Sequence, residues 1–437
     1  MSHLKNMKMA LALSAMLGTP AFAVLSAPEK KMAATVDQNY ERSVALLEKL
    51  VNQNSGTMNL AGVEQVGKIM RAQLEPLGFT VVWHPMDKVK RAGHLVARHV
   101  GKSGAKRILL IGHLDTVFEL NSPFQKFARR GEKAEGPGAG DDKGGMVVIL
   151  AALQGMQTAG TLKHANIEIV LTGDEEAAGE PAEIARQDLI TAGKRADVAL
   201  DFEGLVVQDG RDMGSIARRS SNGWTLTATG KTGHSSLIFD VDHGDGAIYE
   251  ITRIISRFRS ELPEPNLTFN VGVIAGGTTA DLDPDGVRAT ATGKSNIIPA
   301  KAVARGDFRT LSNEQTERVK ARMSRIVSEH APGTNATIMF DATSYPAMAP
   351  TPGNRALLAR LNEVNRDMGL PQMEPLDPLK RGAGDIAFVA ADVDGLVGMG
   401  TVSKGDHAPG ETVDLDSIRR QAKRAAILMT RLSGERR

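Results

Sequence analysis

The sequence predicts an α/β protein whose doubly wound sheet is interrupted by a smaller, ferredoxin-like α+β insert. Three observations predict it. From Phe79 to Phe202, short apolar β-branched runs alternate with helical stretches, the pattern of a sheet with crossover helices. From Trp224 to Phe340 the order becomes strand, helix, strand, strand, helix, strand, a ferredoxin-like succession. Beyond it the α/β texture resumes, with helices near Arg355–Met368 and Leu415–Leu432. The insert therefore splits one domain into two pieces, and two chain crossings make hinge motion available.

Each element has a local reason. Val44, Leu47, Leu50 and Val51 make a helical stripe over Tyr40–Val51. Asn59 caps a second helix that runs to Leu77 and stops at Gly78. Phe79–His84, His94–Val100 and Arg107–Gly112 read as strands. A helix over Lys143–Ala159 ends at Gly160, followed by a strand at Asn166–Thr172, a helix at Ala182–Thr191 and a strand at Ala196–Phe202. In the insert, strands are expected at Trp224–Thr229, Leu267–Ile274, Lys301–Arg309 and Asn335–Phe340, with helices at Gly246–Phe258 and Glu314–His330.

The amino terminus reads differently. Lys5 and Lys8, the apolar run Met9–Leu17 and Ala21-Phe22-Ala23 form a secretory signal pattern over residues 1–23. Its apolar run is too short to span a bilayer. Residues 24–38 read as a polar leader. Removing the signal takes the formal charge from +2 to 0. A near-neutral chain without a basic stripe points away from nucleic acid and from membrane surfaces. The chain has no cysteine, so any metal must be held by histidine and carboxylates. The leader pattern and the missing thiols fit a periplasmic or secreted protein.

In a doubly wound sheet, ligands collect beyond the carboxyl ends of the strands. His113 and Asp115 follow the strand ending at Gly112, Glu175 and Glu176 the one ending at Thr172, and Glu203 the one ending near Asp201; His407 follows the apolar segment Gly395–Met399. Asp141 sits in the glycine-rich turn Gly136-Pro-Gly-Ala-Gly-Asp-Asp-Lys-Gly-Gly145, which lacks the spacing of a phosphate loop. Each motif alone has a plain structural reading: His113 as a strand-end histidine, Asp174-Glu175-Glu176 as an acidic helix start. Together the two histidines and three carboxylates form a ligand set that suits zinc, with manganese or cobalt also fitting. A carboxylate can bridge two ions, and the spare glutamate of the Glu175-Glu176 pair could move a proton.

His113-x-Asp115, Gly-x-Gly-x-x-Asp141-Asp-Lys-Gly-Gly, Asp-Glu175-Glu176, Phe-Glu203 and His407-x-x-x-Glu411 resemble the zinc-dependent exopeptidase and deacylase family. That family includes glutamate carboxypeptidase, aminoacylase, succinyl-diaminopimelate desuccinylase and tripeptidase. The resemblance runs from about Leu46 to the carboxyl terminus and is nearest to glutamate carboxypeptidase. It implies two zinc ions held by His113, Asp141, Glu176, Glu203 and His407, with Asp141 as the bridge because the family pattern is Asp-x-Lys-Gly. Asp115 would orient His113, and Glu175 would be the general base.

The element order places the insert at 221–342, between pieces at 39–220 and 343–437; the resemblance implies that these pieces form the catalytic domain and the insert a lid and dimerisation domain. From the residues alone, His234 is a turn histidine, Asn296 a turn cap and Arg309 an ion-pair partner of Asp307. By resemblance, His234, Asn296 and Arg309 hold substrate, His234 often reaching in from a partner subunit, which implies a homodimer. Gly384, in Gly382-Ala-Gly-Asp385, would meet substrate through the main chain. Relatives often carry Gly-Thr-Asp there, and Tyr345 lies where some glutamate-specific relatives carry arginine.

The implied activity is a metal-dependent carboxypeptidase acting on a small peptide or acyl-amino acid. An N-acyl amino acid deacylase or aminopeptidase is the alternative within the family. A catalytically inactive exported binding protein is the alternative outside it.

Overall fold

The computed structural model describes residues 25–437; the expected signal segment lies outside the described residues. The chain has a mixed α/β fold. Its main sheet has six strands, in the spatial order Thr80–Met86, Arg91–His99, Asn166–Thr172, Arg107–His113, Val198–Asp201 and Gly395–Leu396. The first two pair antiparallel, as do the second and third, and the last four run parallel. In the parallel part His113 lies opposite Thr172, and Ile111 opposite Asp201. The strand ends are thus nearly level, which places the residues that follow them along one rim.

Alternation along the strand Arg107–His113 sends side chains to two cores. Ile108 and Leu110 join Met146, Ile149, Leu153 and Ile427, from the helices Lys143–Ala159 and Leu415–Ser433. Leu109 and Ile111 join Leu189 and Ala192, from the helix Gln187–Arg195, together with Ile386 and Val389. Both faces of the central strand are therefore covered. Each such aliphatic side chain contributes about 1.5–3 kcal/mol of burial.

Tyr40–Val51 and Lys143–Ala159 are helices over the expected residues. The Asn59 carboxamide accepts from the Gly62 amide, and Gly78 (φ +90°) ends the following turn. Two expectations fail. Residues 24–38 are not a polar leader throughout: Ala27–Gln38 is a helix, opened by a reciprocal Ser26–Glu29 capping box. Met32 and Val36 bury its inner face in the main core. The stretch Ala182–Thr191 is not one helix but two, Ala182–Ala185 and Gln187–Arg195, broken at Arg186. There the fully buried Arg186 side chain is held by Asp174 and Asp385.

The insert has its own antiparallel sheet, ordered Thr268–Gly277, Lys301–Arg309, Asn222–Gly230 and Thr334–Phe340. The helices Ala247–Glu261 and Asn313–Ser328 cover one face, and Trp224, Leu226, Phe258, Phe308 and Met323 form a separate core. A hairpin of Thr279–Leu282 and Ala289–Thr292 was not evident from the sequence pattern. The chain passes between the two units on two antiparallel segments, bridged at Arg218–Met348 and Ser221–Tyr345. No helix among the described residues is long and apolar enough to cross a membrane.

Candidate metal centre

His113 is 1% exposed at the end of its strand. Its Nδ1 faces the Asp115 carbonyl oxygen at 3.1 Å and the Asp115 carboxylate at 3.4 Å. That leaves Nε2 pointing at Asp141 Oδ1, 3.0 Å away. The other Asp141 oxygen lies 3.1 Å from His407 Nε2, and the same nitrogen is 3.1 Å from Glu176 Oε2. One carboxylate therefore faces two imidazoles, one through each oxygen. His113, Asp141 and Glu176 each offer a ligand atom within 4.8 Å of the others. His407 adopts φ +66°, and its side chain is 57% exposed, so the site opens to solvent on that side.

The sequence supports this group from below. Asp115 is fully buried and takes three further hydrogen bonds: from Thr57 Oγ1 (2.7 Å), the Glu175 amide (3.0 Å) and the Glu176 amide (3.1 Å). It fixes the imidazole and the Glu175-Glu176 backbone together. Glu411 does the same for the glycine loop, its carboxylate accepting from the amides of Gly138 (3.1 Å), Gly140 (2.7 Å) and Asp141 (3.1 Å). Gly138 has φ +70°, and a Cβ on Gly140 would lie 2.2 Å from the Ser403 side chain. These two glycines let the loop close on Glu411. Asp142 turns away from Asp141, buried beneath Gly112 and Gly145, with Oδ2 accepting from the His113 amide at 3.3 Å.

The electrostatics separate the acids. Burial alone would raise Asp141, but the His113 and His407 imidazoles hold it well below the usual carboxylate range. Asp141 and Glu176 in turn push His407 up to about 11. Burial, with the Glu203 charge next in effect, pushes Glu175 well above the usual carboxylate range. Glu175 thus favours its proton, whereas Asp141 gives its own up readily.

The other expected residues are placed as follows. Glu203 lies outside the four-residue group: it contacts Arg218 Nη1, with Arg381 Nη2 3.6 Å from the same oxygen. Two guanidiniums beside it account for that position. Gly384 packs against this cluster, and a Cβ there would lie 2.1 Å from Arg218 Nη1. Arg309 pairs with Asp307 at 3.2 Å, as the plain reading of the sequence has it. His234 and Asn296 are exposed on the insert and joined through the Ser235 amide, which donates to the Asn296 carbonyl at 2.9 Å. Neither makes a hydrogen bond or ion pair with the His113–His407 group.

Sequence reasoning passed over the buried network behind Glu175. Arg186 donates to Asp174 Oδ1 (2.6 Å), Asp385 Oδ1 (2.8 Å) and Tyr345 Oη (2.9 Å). Tyr345 Oη donates to the Glu175 carbonyl at 2.6 Å. Arg186 sits among Glu183, Gln187 and Asp188 in a mixed stretch, so nothing in the local sequence sets it apart as buried.

Comparison with known proteins agrees with this geometry. The model of peptidase family M20/M25/M40 matches residues 109–431. Carboxypeptidase G2 of Pseudomonas sp. (strain RS-16) is 29% identical over 439 residues, covering 96% of this chain and 96% of that protein. A succinyl-diaminopimelate desuccinylase of Novosphingobium aromaticivorans is 28% identical over 389 residues, covering 86% and 94%. Among solved structures, a tripeptidase of Staphylococcus aureus superposes with a TM-score of 0.68 at 18% identity, covering 91% of this chain and 99% of that one. A dinuclear metal binding peptidase of Bacillus subtilis gives 0.63 at 17% identity, covering 91% and 99%. With the matched region spanning the centre described above, the chain belongs to peptidase family M20/M25/M40 and is a metal-dependent, carboxypeptidase-like amide hydrolase.

Proposed function

We propose that this protein is an exported two-zinc carboxypeptidase that releases a C-terminal amino acid from a small peptide or acyl-amino acid. The observation that carries the reading is Asp141, whose two oxygens face His113 and His407 at 3.0 and 3.1 Å. The donors fit borderline divalent ions: imidazole and carboxylate, with no thiolate in the chain. His113, Asp141, Glu176 and His407 would hold the pair, with Glu203 as the remaining ligand. When bound, such ions polarise a scissile carbonyl and acidify water.

This chain's own residues do the rest. Glu175 takes the proton of the attacking water and returns it to the leaving nitrogen. Asp115 holds the Glu175 amide and Tyr345 its carbonyl, so the main chain carrying the base is fixed on both sides.

The ferredoxin-like insert is read as a lid and dimerisation domain, attached to a doubly wound catalytic domain. Supporting this, Ile248, Tyr249 and Ile274 are exposed apolar side chains on it (39%, 54% and 54%), and Thr268–Gly277 is an edge strand of its sheet. His234 is exposed and makes no hydrogen bond or ion pair with its own His113–His407 group, which supports reading it as a residue that serves a partner's site. Export to the periplasm or beyond rests on the signal pattern and the absence of cysteine.

A chelator-sensitive hydrolysis assay on C-terminal glutamyl, aspartyl and neutral peptides and on acyl-amino acids tests the reading. Turnover restored by zinc and lost in Glu175→Gln, with metal content unchanged, supports it. Turnover that survives chelation or that substitution overturns it.

A further inference from the structure

We propose a second binding site, at the pole opposite the metal centre, for a small organic acid with an apolar body and no ammonium group. A cavity of about 370 Å³ opens there, at the amino-terminal ends of the parallel strands Arg107–His113 and Asn166–Thr172. Small-molecule sites run from roughly 300 to 1,000 Å³. None of the cavity's lining residues belongs to the His113–His407 group or to the buried network behind Glu175.

Strand register builds the cavity. Arg98 lies opposite Glu168, and Glu168 opposite Leu109, on three adjacent strands, so the three side chains share one sheet face. On that face Leu109 packs with Leu189 and Ala192 of the helix Gln187–Arg195. Beyond Arg195 the chain passes through Ala196 and Asp197 into the strand Val198–Asp201. The cavity lies at this turn, where Leu109, Ile167, Ala196 and the 86%-exposed Val100 give it an apolar lining.

The charges around it are unequal. Glu168 accepts from Arg98 Nε at 3.0 Å and from Arg195 Nη2 at 2.6 Å. Asp197 accepts from Arg107 Nε and Nη2, both at 3.3 Å, and from Arg437 Nε at 3.2 Å. Four guanidiniums therefore share two carboxylates. Among the described residues, Arg98 and Arg437 keep both terminal nitrogens free of protein acceptors. A carboxylate entering the cavity can take these free edges through charge-assisted bonds. A cation finds no such partner, because each acid already serves two guanidiniums. An inorganic anion would leave the apolar lining uncovered, and that lining favours an aromatic or branched aliphatic body.

A larger hollow of about 1010 Å³ adjoins the cavity, sharing Gly104, Ala105 and Arg437 and adding Lys102, Lys163 and Arg436. The one acid in its lining, Glu435, is held by Lys106 at 2.6 Å and Arg360 at 2.9 Å. The field at this pole is positive and steers anions toward the cavity.

The test is calorimetry at low salt on the whole protein, zinc-loaded and chelator-stripped, with phenylacetate, phenylacetamide, phenethylamine and inorganic phosphate as probes. Phenylacetate should bind one equivalent that persists when the metal is removed, at least about tenfold tighter than the amide or phosphate. The amine should not bind. Replacing Arg98→Gln and Arg437→Gln together should weaken phenylacetate about tenfold or more, with zinc content and melting temperature retained. Val100→Glu places a negative charge on an exposed position, and covers the case in which the arginine substitutions perturb folding. It should weaken phenylacetate and leave phenylacetamide unchanged. Binding that disappears on chelation would assign the acid to the metal centre and overturn the second site. So would equal binding of acid and amide, phosphate binding as tight as phenylacetate, no binding of any probe, or an affinity unchanged in both variants.

Discussion

The hydroxyl of Tyr345 donates a 2.6 Å hydrogen bond to the main-chain carbonyl of Glu175. Tyr345 also pairs with Ser221 across the two segments that join the insert to the rest of the chain, with both amide–carbonyl bonds at 3.0 Å. The residue that holds the Glu175 main chain is thus part of the connection to the insert. Arg186 fixes the same hydroxyl from the other side, and Phe388 packs on the ring with centroids 5.1 Å apart.

Tyr345→Phe removes one hydrogen bond to Glu175 and keeps the ring. A net hydrogen bond of about 1 kcal/mol corresponds to roughly a fivefold loss, so kcat should fall about three- to tenfold. KM and metal content should stay within about twofold, since neither substrate nor ligand is touched. Steady-state kinetics and metal analysis check this.

Arg186→Met should be far more damaging. It leaves Asp174 and Asp385, both buried, without their shared cation, and breaking such an arrangement costs about 3–5 kcal/mol. Urea unfolding followed by circular dichroism should show the loss as a lower midpoint.

Glu411→Ala removes the acceptor of three loop amides without touching a ligand atom. The glycine loop should loosen around Asp141, and metal affinity should fall about 10–100-fold, the usual effect of removing a group that orients a ligand. Competition with a chromophoric chelator measures it.

His94 gives a pH dependence. Burial opposes its charge, but hydrogen bonds to Asp174 and Asp188 outweigh it and raise the imidazole above its ordinary value. With the folded value above the unfolded one, this contribution is fully present below about pH 6.5. It is lost as pH rises through the folded value. The stability advantage of wild type over His94→Gln should therefore be larger at pH 6 than at pH 9, as read from urea midpoints at each pH.

Much of this was legible because it is local. The strand Arg107–His113 shows itself as an apolar run, the helix Lys143–Ala159 as a run ended by Gly160, and His113-x-Asp115 by the two-residue spacing of one strand face. The helix Ala27–Gln38 was hidden because its stripe is only Met32 and Val36 and its stability comes from packing on Lys143–Ala159 and Leu415–Ser433. The burial of Arg186 depends on a partner 199 residues away, Asp385, and the surroundings of Glu203 on Arg381, 178 residues away; no periodicity or spacing encodes such pairings. Tyr345 stood out only as a departure from an expected arginine; its bond to Glu175 spans 170 residues.

Asp141, facing both His113 and His407, would join two metal ions. Metal content per chain, measured by mass spectrometry after dialysis against zinc-buffered solution, decides this. Two zinc ions in the wild type and at most one in Asp141→Asn, with the fold intact by circular dichroism, is the expected result. A wild type that holds a single ion, or an Asp141→Asn variant that still holds two, would contradict it.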